Sequence, residues 1–140
     1  MGMGGMSALS LGEAEALVAK AARGAGMPWG LAAEAGKAAR RAFGAGAAEV
    51  DASFVTWLSG DPGGPQCPLV RGLLAAEGGA ETAQNGSAAQ LIYNAAARRL
   101  SADPDIKRAQ ISPEAQDSLE ALAHRTYAPA TEESRARGAG

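Results

Sequence analysis

The sequence predicts a mostly α fold, a small single-domain helical bundle with long Gly/Pro-rich loops, with α+β as the alternative. Three observations lead there. Ala, the strongest helix former, supplies about a quarter of the 140 residues. Apolar residues recur at three- and four-residue spacings in several stretches, and serine or proline signals of a helix start precede most of them. No stretch of four or more residues shows the clean apolar alternation of a half-buried strand, so no strand is assigned.

The first helix opens at Ser10. Ser10, Leu11, Gly12 and Glu13 have the Ser-x-x-Glu spacing of a capping box, in which hydroxyl and carboxylate each satisfy a backbone N–H left open at a helix start. From there Leu11, Ala14, Leu17, Val18 and Ala21 form one apolar stripe, which Gly24 is placed to end. Pro28 then suits the first turn of a second helix running to about Phe43. Its inner face is Leu31, Ala35, Ala38, Ala39 and Ala42, with Glu34 near the positive start and Lys37, Arg40 and Arg41 toward the negative end. Ala and Gly dominate both helices, so their axes can approach closely as an antiparallel pair.

Between Ala48 and Ser59, Val50, Phe54, Trp57 and Leu58 share a helical face, and the Gly/Pro-rich run 60–65 breaks any regular element beyond it. A short helix is expected from Leu69 to Glu77 and a loop from Gly78 to Gly86. Ser87 is expected to cap a helix with Leu91, Ile92, Ala95 and Ala96 inward, ending before Asp103 and Pro104. Ser112, Pro113 and Glu114 open the last helix, which points Leu119, Leu122 and Ala123 inward, and from Tyr127 the pattern stops. The expected organisation is a flexible N-terminus over 1–8, one helical domain over 9–127 and an irregular tail over 128–140.

Composition bounds the function. Leu, Ile, Val and Phe make up only about 15% of the chain, so the core is thin and a partner surface, most simply a second copy in a homo-oligomer, would help it. A formal charge of −2 offers no broad basic face for nucleic acid. No run of about 18 apolar residues suits a membrane, and residues 1–6 lack the basic and apolar regions of a signal peptide, which points to the cytoplasm. The lone Cys67 cannot form an internal disulfide, in keeping with a reducing compartment.

The segment from Leu9 to Arg41, above all KAARGAGMPWGLAAEAG at 20–36, resembles the start of the bacterial family known as domain of unknown function 3726. The segment HRTYAPATEESRARGAG at 124–140 resembles its end, and Cys67, Pro68 and Leu69 resemble a mid-chain element. The resemblance implies no particular chemistry, since the family's name records no activity. Family members are longer, begin near Met6 and have a sheet-forming middle, whereas 70–110 here reads as Ala-rich helix and loop. A shortened, divergent or frame-altered middle is one explanation.

Several residues are candidates for a site. Arg23, Gly24 and Gly26 precede a proline-started helix, where free N–H groups carry partial positive charge and Gly admits a ligand to the backbone. The alternative is an ordinary interhelical turn. Trp29 and Glu34, a turn apart, could form a partly apolar pocket with a general base, or else a core anchor and a solvated dipole partner. His124, Arg125, Thr126 and Tyr127, with Thr131, Ser134, Arg135 and Arg137, form the densest polar cluster. Arg125 and Arg135 can clamp a carboxylate or phosphate bidentately while Tyr127 or Ser134 donates a hydrogen bond, or the basic groups can simply answer a helix dipole. The lone His124 makes no metal site, Cys67 has no fixed basic neighbour to activate it, and no residue names a cofactor. Asp61, Asp103 and Asp105 lie in turns where carboxylates accept local backbone bonds.

Three functions are therefore expected to compete. One is an enzyme or binding protein for an anionic small molecule, its site formed where Arg23 to Trp29 meets Arg125 to Arg135. Another is a non-enzymatic helical accessory or interaction subunit that presents Trp29, Phe54 and Trp57 to a partner. The last is a degenerate family member with intact ends and a damaged middle.

Overall fold

The structure, a computed structural model, describes residues 6–64 and 66–125. Its elements run β1 (Ser7–Ser10), α1 (Leu11–Gly24), α2 (Trp29–Gly44), α3 (Val50–Ser59), α4 (Pro68–Ala76), α5 (Ser87–Ala96), β2 (Arg108–Ile111) and α6 (Pro113–His124). The mostly α reading holds for the described residues.

The helix starts obey the local chemistry. At α1 the capping box is complete: the Ser10 N–H donates to Glu13 Oε1 at 2.8 Å and the Glu13 N–H donates to Ser10 Oγ at 3.0 Å. The Ser10 backbone bond, then its hydroxyl, hold the Glu13 carboxyl below its ordinary value. At α6 the Ser112 hydroxyl accepts the Ala115 N–H at 3.1 Å. The expected Ser87 cap is corrected, because Gly86 is the N-cap of α5 at φ +97 and Ser87 is the first helical residue, with no side-chain cap.

Two strands also correct the sequence reading. β1 and β2 pair antiparallel, with Ser7 opposite Ile111 and Leu9 opposite Ala109. Each is four residues long, and in β2 only Ala109 and Ile111 are buried, too few for a period of two to be read from sequence. β1 starts inside the segment expected to be a flexible N-terminus.

Small residues set the packing. A Cβ added at Gly24 would lie 1.8 Å from the Leu122 carbonyl oxygen of α6, and one at Gly36 would lie 2.6 Å from the Glu15 carbonyl oxygen of α1. One at Gly72 of α4 would lie 2.6 Å from both Ala96 Cβ and the Tyr93 carbonyl oxygen of α5. α1 is thereby pressed against α2 and α6, and α4 against α5. Around these contacts Ala14, Val18, Ala21, Ala38, Ala39, Phe54, Leu69, Ile92, Ile111 and Leu119 are fully buried.

The 70–110 stretch is part of this core, through Ile92, Tyr93, Ala95, Ala96 and Ala109. The loop between α4 and α5 is tied down by Tyr93, whose hydroxyl donates to Glu81 Oε1 at 3.0 Å and accepts the Thr82 N–H at 3.2 Å. Arg99 pairs with the other oxygen of Glu81 and stacks 5.5 Å from the Tyr93 ring. Arg41, expected to serve its own helix's dipole, instead reaches α5, where its Nε donates to the Ala95 carbonyl at 2.9 Å. Desolvation, and then the nearby Arg98 charge, lower its pKa.

The packing and the cap can each be tested. In Gly24→Ala, helix propensity alone favours the variant by up to about 1 kcal/mol. The collision with Leu122 reverses the sign, and urea denaturation is expected to show a loss of about 1–3 kcal/mol. For Glu13, a folded-state pKa below the unfolded one means stabilisation that is present above the unfolded value and lost as pH falls through the folded value. Denaturation across pH is expected to show wild type more stable than Glu13→Gln at neutral pH, the gap closing below the ordinary glutamate range.

Candidate functional site

Among the described residues, the end of α1 lies against the end of α6. Gly24 sits directly on the α6 backbone at Leu122, one turn before Arg125, which caps α6 and is exposed. The same contact explains Gly24 by close approach. Gly26, at φ +103, makes the turn into α2. Arg23 is drawn into that turn: its Nη1 donates to the Met27 carbonyl at 3.1 Å and its guanidinium lies 4.8 Å from the Trp29 ring centroid. The Arg23 guanidinium is thus partly engaged within its own loop. Trp29 itself is 70% exposed and is the first residue of α2. Thr126, Tyr127, Thr131, Ser134, Arg135 and Arg137 lie outside the described residues.

Trp29 does not line the cleft that holds Glu34. The Glu34 carboxylate accepts from Lys37 Nζ at 3.4 Å and lines a cleft of about 420 Å³ with Leu73, Ala76, Glu77 and Arg98. Cys67 is buried and is the N-cap of α4. Asp103 Oδ1 accepts the Asp105 N–H at 2.9 Å, the local turn bond its position suggests.

A larger cleft, of about 540 Å³, opens elsewhere, between the start of α3 and the chain leading into β2. Its volume lies in the range of small-molecule sites. Local structure fixes both walls. Gly46, at φ +71, turns the chain out of α2 in a conformation that favours Gly, and its open side faces the tip of Ile106. The Asp103 N–H donates to the Gly44 carbonyl at 2.8 Å and docks the opposite loop on the end of α2. Glu49, the N-cap of α3, is held at φ +53, a left-handed conformation that costs a non-Gly residue of order 1–3 kcal/mol.

Asp51 anchors the inner wall. It is 7% exposed, the only buried carboxylate among the described residues, and its Oδ2 accepts the Ser112 N–H at 2.7 Å. That bond links the start of α3 to the cap of α6. Phe43 and Val50 are buried beneath the cleft, and Lys107 and Arg108 stand exposed at its rim.

This cleft was missed in the sequence. The available signal was an Asp one residue after Val50 on a face otherwise apolar; nothing in spacing joins residues 43–51 to 105–110.

A family model described as "Protein of unknown function (DUF3726)" matches residues 9–127. The chain belongs to this family. The DUF3726 match spans the 70–110 stretch that reads as divergent, so the resemblance extends well beyond the two ends. No curated protein and no solved structure matches the chain.

The Asp51 tether gives a direct check. Asp51→Ala leaves the Ser112 N–H without its acceptor and is expected to cost about 1–3 kcal/mol, whereas Asp51→Asn keeps a carbonyl acceptor and most of that stability. Thermal and urea melts of the two variants measure the difference.

Proposed function

We propose that this DUF3726 protein works in the bacterial cytoplasm by binding a small metabolite through an anionic group, and that the cleft between α3 and β2 is the seat. The observation that carries the reading is a cleft lined by the apolar Phe43, Val50 and Ile106 together with the exposed cations Lys107 and Arg108. An apolar cleft with a few convergent polar groups is the usual form of a small-molecule site, and exposed cations at its rim supply the charge an anion needs. The Arg23 end has the less available guanidinium, with its fork already on Met27 and Trp29.

The accessory-subunit expectation is corrected in part. Phe54 is fully buried and Trp57 is 8% exposed, in edge-to-face contact at 5.9 Å, so neither is presented to a partner. Trp29 alone supports that second reading.

The test is a thermal-melt screen of the full chain against small carboxylates and phosphate esters. A ligand at about a hundredfold excess over its Kd adds about 2.7 kcal/mol, enough for a rise of several degrees. The paired variant Lys107→Met with Arg108→Gln is expected to abolish the rise. A screen with no shift overturns the function, and a rise lost in Arg23→Ala or Arg135→Ala but kept in the paired variant moves the site to the other end of the bundle.

A further inference from the structure

We infer that the cleft between α3 and β2 selects a zwitterion: a small molecule carrying an ammonium and a carboxylate on an apolar body, an aliphatic α-amino acid being the simplest case. The inference rests on the reading of this cleft as a binding seat and adds the class of ligand.

Charge decides it. Three carboxylates, Glu49, Asp51 and Asp105, line the cleft against two cations, Lys107 and Arg108. A ligand that is only an anion answers the two cations and leaves the acidic residues unmet, while a molecule with both charges answers both signs. The two walls differ in sign: the start of α3 contributes only the acidic Glu49 and Asp51, and the strand side contributes Lys107 and Arg108 beside the exposed Asp105.

Asp51 is the group built for recognition. A carboxylate has about four acceptor positions. The Ser112 N–H fills one, and that bond also fixes the rotamer of a side chain held almost wholly out of solvent. A primary ammonium brings three donors to the remaining positions. Its pairing with a buried, pre-oriented carboxylate discriminates far better than a contact to a mobile surface acid, because little side-chain freedom is lost on binding. The carboxylate of the same molecule meets Lys107 and Arg108 across the opening. The apolar body lies on Phe43, Val50 and Ile106, which reward an aliphatic side chain by the area they cover.

The experiment titrates the full chain calorimetrically with three matched probes: L-leucine, 4-methylpentanoate, which lacks the amine, and 3-methylbutylamine, which lacks the carboxylate. Leucine is expected to bind at least tenfold more tightly than either. Asp51→Asn is expected to weaken leucine and the amine at least tenfold while leaving 4-methylpentanoate unweakened or somewhat tighter. Lys107→Met is expected to weaken leucine and 4-methylpentanoate and spare the amine. If Asp51→Asn fails to fold, Glu49→Gln, at an exposed position on the same wall, takes its place: leucine and the amine are expected to weaken and 4-methylpentanoate not to, with a smaller loss than for the buried acid. Equal binding of 4-methylpentanoate and leucine overturns the zwitterion while the anionic reading stands. Equal binding of the amine and leucine overturns both. No heat from any probe overturns the zwitterion, and the carboxylate and phosphate screen then decides the anionic reading separately.

Discussion

The structure depends on helices that approach each other through residues with almost no side chain. With few large apolar groups to bury, the chain cannot draw its stability from big interlocking side chains. It brings backbones close enough for many small dispersion contacts, and a gap of even a fraction of an ångström forfeits much of each. Gly24 against Leu122, Gly36 against Glu15 and Gly72 against Tyr93 are the three points where the approach leaves no room for a methyl group. Between them, ranks of Ala close the remaining space on α1 and α2.

That constraint shapes the rest of the fold. Because α1 is clasped by α2 on one side and α6 on the other, Gly24 and Leu122 lie side by side although some hundred residues separate them. The α4 and α5 pair forms a second close-packed unit, which Arg41 joins to α2 through the Ala95 carbonyl. The linking loops are then fixed individually by polar ties: Tyr93 and Glu81 for one, Asp103 and Gly44 for another, Asp51 and Ser112 for the third. A thin core with polar ties at its margins leaves clefts between loops rather than inside the bundle. The cleft beside Asp51 is such a place, and the left-handed Glu49 shows that its wall is held against local preference.

The family has no established chemistry to lend, so any function must be argued from the geometry of sites. The Arg23 cluster shows why residue types alone mislead. Arginine, glycine and tryptophan next to a helix start suggest anion recognition, yet the guanidinium is partly satisfied within its own turn. Lys107 and Arg108 drew no notice in sequence, because two basic residues ahead of a short strand look like a solvated surface. They gain meaning only through Phe43, Val50 and Asp51 across the cleft.

Interactions that span only a few residues were legible in the sequence. The capping box at Ser10, the serine cap at Ser112, the Asp103 turn, the six helices of the described residues and most of their buried faces all come from spacings of two to four residues, because hydrogen bonds and helical periodicity operate over that range. Tertiary structure alone decided the rest. Whether Gly24 ends a helix or admits another backbone, whether Trp57 is buried and Trp29 exposed, that Ser7–Ser10 pairs with Arg108–Ile111, and that Asp51 and Lys107 line one cleft all depend on parts of the chain far apart in sequence. A local pattern carries no record of which distant surface will come to lie against it, and the Ala-rich faces of this chain are too alike for composition to choose their partners.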